Sequence, residues 1–377
     1  MADTVPLGCL AGTRVLDLSQ YLPGPYGAQI LADLGADVLK IEPPSGDPMR
    51  AIGPLDSDGI SAFYKLINAG KTVLRLDLKS TDGSARLREL VGGADVLLES
   101  FRPGVLARLG FDAEFLHRLN PRLVHCALSG FGQDGPAAQR AGHDITYMAL
   151  AGGLATSGTA ARPVVAHPPT ADFASGLQAA LAIVAALLRR ATAGTGASID
   201  IAIADSVLAW QGLVLTGDHR AADSQGRAAG LLNGGAACYQ IYETADGRFI
   251  ALGALEEKFW AAFCAALGRD DWTARQWEPL PQTALIDEVA ALMRTRTCDQ
   301  WTAHLATVDC CFQPVLDPAE VAADPQVIAR GMIAETPGAD PLIQVLHPAR
   351  FDGARPSARR PVAEIDAAAA VRAWTKR

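Results

Sequence analysis

The sequence predicts an α/β protein with a parallel sheet in a large domain and a smaller α+β domain beside it. Two observations support this. Over the first 130 residues, short apolar runs typical of strands alternate with helical segments, as in an open parallel sheet. Further on, two strand-like runs at 239–242 and 248–252 are joined by Ala-Asp-Gly, which predicts a hairpin. At 377 residues, two domains are a better expectation than one.

The elements of the parallel sheet follow one another closely. Pro23, Gly24 and Pro25 interrupt the chain before the first helix, and Gly35 is a suitable residue to end it. This β-α-β start is of the nucleotide-binding kind and predicts a Rossmann-like large domain. The predicted strands are 13–19, 36–41, 72–76, 96–99 and 123–129, and the predicted helices are 26–34 and 82–91.

The second half of the chain is more mixed. A long apolar helix is predicted at 173–190 and a strand at 198–203, followed by a Gly-containing polar stretch at about 207–235. Helices are predicted at 258–267 and 283–295. The tail from about residue 337 is rich in Pro and Arg, so we expect it to run over a surface.

Composition excludes several classes of function. The net charge of −8 and the pI of about 5.4 argue against a nucleic-acid partner. We expect no membrane span, because the apolar run ending at Leu188 is short and meets Arg189 and Arg190. We also expect no signal peptide and no bound metal. The seven scattered cysteines are typical of a reducing cytoplasm, where we place the protein.

Two phosphate-binding motifs are incomplete. Asn68 to Thr72 reads Asn-Ala-Gly-Lys-Thr, like the end of a P-loop, but Lys65 stands where that loop requires glycine. No complete Gly-x-Gly-x-x-Gly follows the first strand either. A nucleoside triphosphatase is therefore disfavoured.

An ordered succession of segments resembles the family III CoA-transferases, also called the CaiB/BaiF superfamily. The resemblance extends from about residue 12 to 320, and later segments point to its α-methylacyl-CoA racemase branch. The segments are Leu-Asp-Leu-Ser-Gln-Tyr-Leu-Pro-Gly-Pro-Tyr (16–26), Leu-Ala-Asp-Leu-Gly-Ala-Asp-Val-Leu-Lys-Ile-Glu-Pro (31–43), Leu-Asp-Leu-Lys (76–79), Leu-Leu-Glu-Ser-Phe-Arg-Pro-Gly-Val (97–105), Ala-Arg-Leu-Gly (107–110) and Leu-Ser-Gly-Phe-Gly-Gln-Asp-Gly-Pro (128–136).

The resemblance implies a coenzyme A site on the large domain. Lys40 would approach the 3′-phosphate, since phosphates require charge-assisted donors. Pro43 stands where racemases often carry a basic residue, and a solvated surface charge is the alternative role for Lys40 or Arg108. The residues implied at this site are Tyr21, Leu22, Lys40, Leu76, Ser100, Phe101 and Arg108.

Three further residues are implied in catalysis. They are His143, Asp172 and Glu256. Each also has a structural interpretation: an interior histidine, an N-cap of the helix expected at Phe173, and a helix-start carboxylate for which Glu257 competes. Asp144 could orient the backbone or the histidine ring, and backbone N–H groups near Asp172 could hold an oxyanion.

By resemblance, His143 polarised by Glu256 would act on one face of the α-carbon of a 2-methylacyl-CoA, and Asp172 on the other. This predicts a racemase without a separate cofactor, because coenzyme A is part of the acyl-CoA substrate. The alternative is a CoA-transferase with Asp172 as nucleophile.

The resemblance also implies an interlocked homodimer in which Glu256 reaches the neighbouring subunit's site. The predicted domains are a large CoA-binding domain at 1–200, completed by 330–377, a linker at 201–224 and a small domain at 225–325.

Overall fold

The computed structural model describes residues 8–220, 226–337, 339–354 and 357–375. Over these residues the chain divides into two compact units. The first unit consists of the described residues up to Ala151, His167–Trp210, and the described residues from Pro325 onward. The second consists of Gly152–Ala166 and the described part of Gln211–Asp324.

The first unit alternates strands and helices along most of its length. A short 3-10 helix, Pro48–Ala51, follows its second strand. In chain order the elements are β1 (Arg14–Leu18), α1 (Pro23–Asp33), β2 (Asp37–Glu42), α2 (Ala62–Asn68), β3 (Thr72–Arg75), α3 (Thr81–Gly93), β4 (Val96–Glu99), α4 (Val105–Arg108), α5 (Ala113–Leu119), β5 (Val124–Ser129), α6 (Asp144–Leu150), α7 (Thr170–Ala193), β6 (Ala197–Ala202) and α8 (Ile203–Leu208).

The second unit is a small α+β unit around one core. Three of its strands form an antiparallel sheet, which packs with the helices of the unit around the buried rings of Trp260, Trp272 and Trp301. Asp270–Arg275 forms a 3-10 helix. The other elements are α9 (Gly212–Arg220), β7 (Tyr239–Glu243), β8 (Phe249–Gly253), α10 (Glu257–Ala266), α11 (Thr283–Met293), α12 (Cys298–Leu305), β9 (Phe312–Pro314) and α13 (Pro318–Ala323).

The end of the chain returns to the first unit. Its elements are α14 (Pro325–Arg330), β10 (Ile333–Glu335), β11 (Ile343–Val345), β12 (Ala363–Glu364) and α15 (Ala367–Thr375). β12 pairs with β3, and Trp374 of α15 is 4% exposed in the core cluster that includes Leu16 and Leu87. The expectation that the tail runs over a surface is therefore wrong for this part. The Pro- and Arg-rich residues before α15 obscured a helix whose apolar side packs on the core.

Within the described part of the chain, seven parallel strands form the central sheet, in the order β12, β3, β2, β1, β4, β5, β6. Because successive strands add first to one side of β1 and later to the other, the order reverses between β1 and β4. Helices cover both faces. Leu16 and Leu18 point toward the cluster that contains α3 and α15 residues, while α1 and α7 pack together on the opposite face. The predicted α/β class is confirmed.

Candidate active site

A cavity of about 410 Å³ opens at the carboxyl ends of β1, β4 and β5. In open α/β sheets, ligands bind where the strand order reverses, because the loops after the two central strands diverge there. All of its lining residues belong to the first unit. They include Gln20, Tyr21, Ser100, Phe101, Arg102, Ser129, Gly130, Arg140, His143, Tyr147 and Asp172.

The loop after β1 is held by buried charged groups. Lys40 is completely buried, donates from Nζ to the Ser19 carbonyl at 2.7 Å and pairs with Asp47 at 2.9 Å. Asp47 in turn accepts from the Tyr21 N–H at 3.3 Å. Tyr21 has φ +63°, a strained conformation for a residue with a side chain. Lys40 is thus neither a solvated surface charge nor available to a phosphate, and the sequence-based expectation is corrected here.

A second cross-link joins the loops after β1 and β4. The Ser100 hydroxyl accepts from the Gln20 N–H at 3.0 Å, while the Phe101 N–H donates to Glu99 at 2.6 Å. The other two apolar residues expected at the coenzyme site are Leu22 and Leu76. Leu22 is the N-cap residue of α1, and Leu76 is buried directly after β3.

Lys71 explains the incomplete P-loop motif. Its ammonium is fully buried and donates to Asp17 at 3.0 Å, to the Pro25 carbonyl at 2.8 Å and to Asn68 at 2.9 Å. Burial lowers the pKa of Lys71 to about 8, while the Asp17 charge acts in the opposite sense. The motif therefore supports the sheet from within rather than a phosphate.

Arg108 lies in another cavity, of about 510 Å³, beside the N-terminus of α3. Lys79 and Arg88 line the same cavity, and none of the three forms an ion pair with a described residue. Three cations and a helix N-terminus are a suitable environment for a phosphate group.

His143 is the N-cap residue of α6, and its ring is exposed. The Thr146 hydroxyl closes the first turn, because it accepts from the His143 N–H at 3.1 Å and donates to the His143 carbonyl at 2.8 Å. The Tyr21 ring meets the imidazole edge-on, with the centroids 6.1 Å apart. An exposed imidazole in a cavity wall can exchange protons with a ligand, unlike an interior histidine.

Asp172 lies in the first turn of α7 and lines the same cavity as His143. Since α7 begins at Thr170 and not at Phe173, Asp172 is not the N-cap residue that the sequence suggested. Burial, assisted by the Asp144 charge, raises the pKa of Asp172 to about 7. A carboxyl group with this pKa can both accept and donate a proton near neutral pH.

Asp144 already occupies the backbone donors beside Asp172. One carboxylate oxygen, Oδ1, accepts from the Ala171 N–H at 2.7 Å and from the Asp172 N–H at 3.1 Å. An enolate oxygen that used these two groups would have to displace Asp144. The expectation of an oxyanion site at these N–H groups is corrected accordingly, whereas Asp144 does orient neighbouring backbone.

Glu256 belongs to the second unit, apart from the unit that carries His143 and Asp172. It is the N-cap residue of α10, it is exposed, and its side chain makes no capping hydrogen bond. Its carboxylate therefore does not cap the helix, which is the structural role that the sequence suggested for Glu256.

Several residues of the two cavities escaped the sequence-based prediction. Arg102 and Arg140 line the cavity with Asp172, and Lys79 lines the one with Arg108. Arg102 and Lys79 lie within segments that carry the family resemblance, and each follows a predicted strand by a few residues. That position was an available signal, because the carboxyl ends of parallel strands meet at one edge of the sheet.

Comparison with known proteins agrees with this fold. The sequence model that defines CoA-transferase family III matches residues 10–366, and the chain belongs to this family. The chain is 36% identical to human alpha-methylacyl-CoA racemase over 315 residues, covering 83% of this chain and 79% of the relative. It is 34% identical to a succinate–glutarate CoA-transferase of Agrobacterium fabrum over 377 residues, covering 92% of each.

Solved structures show the same fold. A CaiB/BaiF family protein from Brucella suis is similar, with a TM-score of 0.83 and 30% identity over 98% of this chain and 99% of that one. The predicted family is therefore confirmed. Because racemases and CoA-transferases occur at comparable identity, membership defines an enzyme of this family but not its reaction.

Proposed function

We propose that the protein is an α-methylacyl-CoA racemase, which interconverts 2R- and 2S-methylacyl-CoA thioesters. The observation that carries this proposal is the presence of His143 and Asp172 in the wall of one cavity. Two proton-transfer groups are needed, one on each face of the α-carbon, because the proton leaves one face and returns to the other. One group must be a base while the other is an acid.

The chemistry proceeds through an enolate. In one direction Asp172 removes the α-proton, the electron pair of the C–H bond moves toward the thioester carbonyl, and His143 returns a proton to the opposite face. The reverse direction exchanges the two roles. The pKa of about 7 suits Asp172 to both. Arg102 and Arg140 are the cations of the cavity wall, and positive charge favours the developing enolate.

Coenzyme A is held, in this proposal, at the carboxyl edge of the sheet. The phosphates lie in the cavity of Lys79, Arg88 and Arg108, and the thioester lies in the cavity of Asp172. Leu22 and Phe101 supply apolar surface to this edge, whereas Leu76 is buried in the core below it. No separate cofactor takes part, because coenzyme A is carried by the substrate.

We propose that the protein is a homodimer in which Glu256 polarises His143 of the other subunit. Large apolar side chains remain uncovered on α7 and directly after α8 of the first unit, which suits a surface that another chain covers. The most exposed of them are Leu177 at 53%, Leu181 at 59%, Leu188 at 74% and Trp210 at 59%.

Membrane association is not part of the proposal. Among the described residues, one helix, α7, is long and apolar enough to cross a membrane, and half of its most apolar part is buried inside the structure.

The test is incubation with a pure 2R-methylacyl-CoA in heavy water, followed by NMR. We expect the α-proton to exchange with deuterium and the 2S form to appear without any acceptor acid. A CoA-transferase is the second candidate, favoured by the transferase relatives and by the accessible Asp172 carboxyl group. CoA transfer to an added acid without α-proton exchange would establish it and exclude the racemase.

A further inference from the structure

The first turn of α7 is capped by a residue from another helix. The N-cap residue of α7 is Pro169, which has no side chain able to accept a hydrogen bond. Asp144, 27 residues before Ala171, supplies the acceptor instead at 2.7 Å and 3.1 Å from the Ala171 and Asp172 nitrogens. A capping group usually comes from the helix's own N-cap residue, so this cap also connects two elements.

The other end of this connection is the backbone of His143. Asp144 is the residue that directly follows His143, at the first position of α6. The Thr146 hydroxyl holds the His143 N–H and carbonyl, so the start of α6 is closed as well. One carboxylate therefore joins the backbone that carries the imidazole to the backbone that carries the Asp172 carboxyl group.

The same carboxylate acts electrostatically on Asp172. Two carboxylates in a partly buried site disfavour each other's ionisation, and this repulsion acts in the same direction as burial. The groups that face Asp172 across the cavity are Tyr147 and His143 of α6, Tyr21 after β1, Arg102 after β4, and Arg140. The N-terminus of α7 favours the charged form of Asp172, so Asp144 opposes it.

We propose that Asp144 is a positioning residue that fixes the separation of His143 and Asp172 by joining the backbone segments that carry them. The inference rests on the proposed function for its kinetic consequences. The structural effect of Asp144 on Asp172 does not depend on which reaction the protein catalyses.

The first experiment compares Asp144→Asn with Asp144→Ala. Asparagine keeps an oxygen acceptor for the two N–H groups but removes the charge, whereas alanine removes both. We expect Asp144→Ala to lower kcat for racemisation by about tenfold or more, with a smaller change in KM, because misplacement of a reacting group is costly. We expect Asp144→Asn to recover most of that loss at its own optimum, with the pH profile displaced to lower pH.

A matched control is Asp112→Ala. Asp112 caps α5 through the Phe115 N–H at 2.8 Å, far along the sequence from both proton-transfer groups and outside the lining of the cavity. Its loss should lower the melting temperature without changing kcat or the pH profile. An equal loss of activity in Asp112→Ala and Asp144→Ala would reduce the Asp144 effect to general destabilisation and overturn the inference.

The second experiment measures the titration of the Asp172 carboxyl group directly. The carboxyl carbon of Asp172 is titrated by ¹³C NMR in otherwise unchanged protein and in Asp144→Asn, and its signal is assigned by its absence from Asp172→Asn. We expect a lower titration midpoint in Asp144→Asn. An unchanged midpoint, or an unchanged kcat in Asp144→Ala, would refute the role of Asp144. Absence of α-proton exchange in the unaltered protein would refute the proposed reaction instead, and the titration would still decide this inference.

Discussion

Asp172 combines two features that act against each other at the scale of one residue. It lies in the first turn of α7, where the helix favours negative charge, yet burial and Asp144 raise its pKa to about 7. Burial has the larger effect on this pKa, because the hydration free energy that a buried carboxylate loses exceeds the stabilisation that a helix N-terminus provides. The residue thereby gains the acid–base range that a proton-transfer group requires.

This pKa predicts a dependence of stability on pH. The folded state binds the Asp172 proton more tightly than the unfolded state, whose value is near the ordinary 3.8. The free energy of unfolding should therefore fall as the pH rises from about 4 through about 7. Relative to Asp172→Asn, we expect the protein to lose about 1–2 kcal/mol between pH 5 and pH 8 in denaturant melts, after allowance for solvent screening. A constant difference between the two proteins would contradict the raised pKa.

Substitution of Arg108 should affect binding and substitution of Lys40 should affect stability, although the sequence suggested a phosphate-binding role for both. Arg108→Ala should weaken coenzyme A binding by about 1–3 kcal/mol, because it removes a charged donor from an open cavity. Lys40→Met should instead lower the free energy of unfolding by about 3–5 kcal/mol, because it leaves Asp47 buried without its cation. Calorimetric titration and denaturant melts measure the two effects. An unchanged melt for Lys40→Met would show that its ion pair does not support the loop.

At the scale of elements, two glycines allow α1 and α7 to pack closely. A Cβ on Gly176 would come within 2.5 Å of the Pro23 carbonyl, and one on Gly27 within 2.8 Å of the Gly176 carbonyl. Gly176 also lies one helical turn after Asp172, and Pro23 follows the Tyr21 loop directly. The packing of these helices therefore affects the positions of Asp172 and Tyr21 in the cavity wall.

We expect Gly176→Ala to destabilise the protein by about 1–3 kcal/mol through overpacking and to lower kcat, since the helix carrying Asp172 must move. Gly92→Ala is the matched control. Gly92 is exposed in α3, and a Cβ there would meet nothing within 4 Å, so the change should be neutral or stabilising by up to about 1 kcal/mol. Thermal melts and initial rates compare the two. Equal behaviour of the two alanine variants would contradict the close-packing account.

The elements differ in how far the sequence could predict them. The strand predicted at 96–99 matches β4, and the others of the first 130 residues agree within about one residue, because buried parallel strands are continuous apolar runs. The stretch predicted as a mixed 207–235 contains α9, and α7 begins three residues early because Asp144 caps it from a distance. The buried roles of Lys40 and Lys71 were also hidden, since the sequence does not reveal that Lys71 pairs with Asp17 of β1, or that Lys40 is enclosed with Asp47.

At the scale of the whole molecule, the shared active site can be tested by subunit exchange. Asp172→Ala and Glu256→Lys are each expected to abolish most activity. If Glu256 serves the other subunit, a mixed dimer contains one doubly altered site and one intact site. Random mixing should then restore about a quarter of the unaltered activity, since half of the dimers are mixed.

Recovery is measured after the two variants, carrying different tags, are unfolded together and refolded. Co-purification of both tags serves as the control for mixing. Mixed dimers without activity would show that each site draws Asp172 and Glu256 from one chain, and a chain that remains monomeric in light scattering would exclude the interlocked arrangement.

The pairing of β12 with β3 has a consequence for synthesis on the ribosome. Strands β1 to β6 emerge early, but the edge of β3 gains β12 only after the second unit has been synthesised. The Arg14 side chain donates to the Ala373 and Trp374 carbonyls later still. Until then, the nascent sheet presents an unpaired edge to other chains. A stop codon between β11 and β12 would therefore yield a product that retains His143, Asp172 and Glu256 but is prone to aggregation.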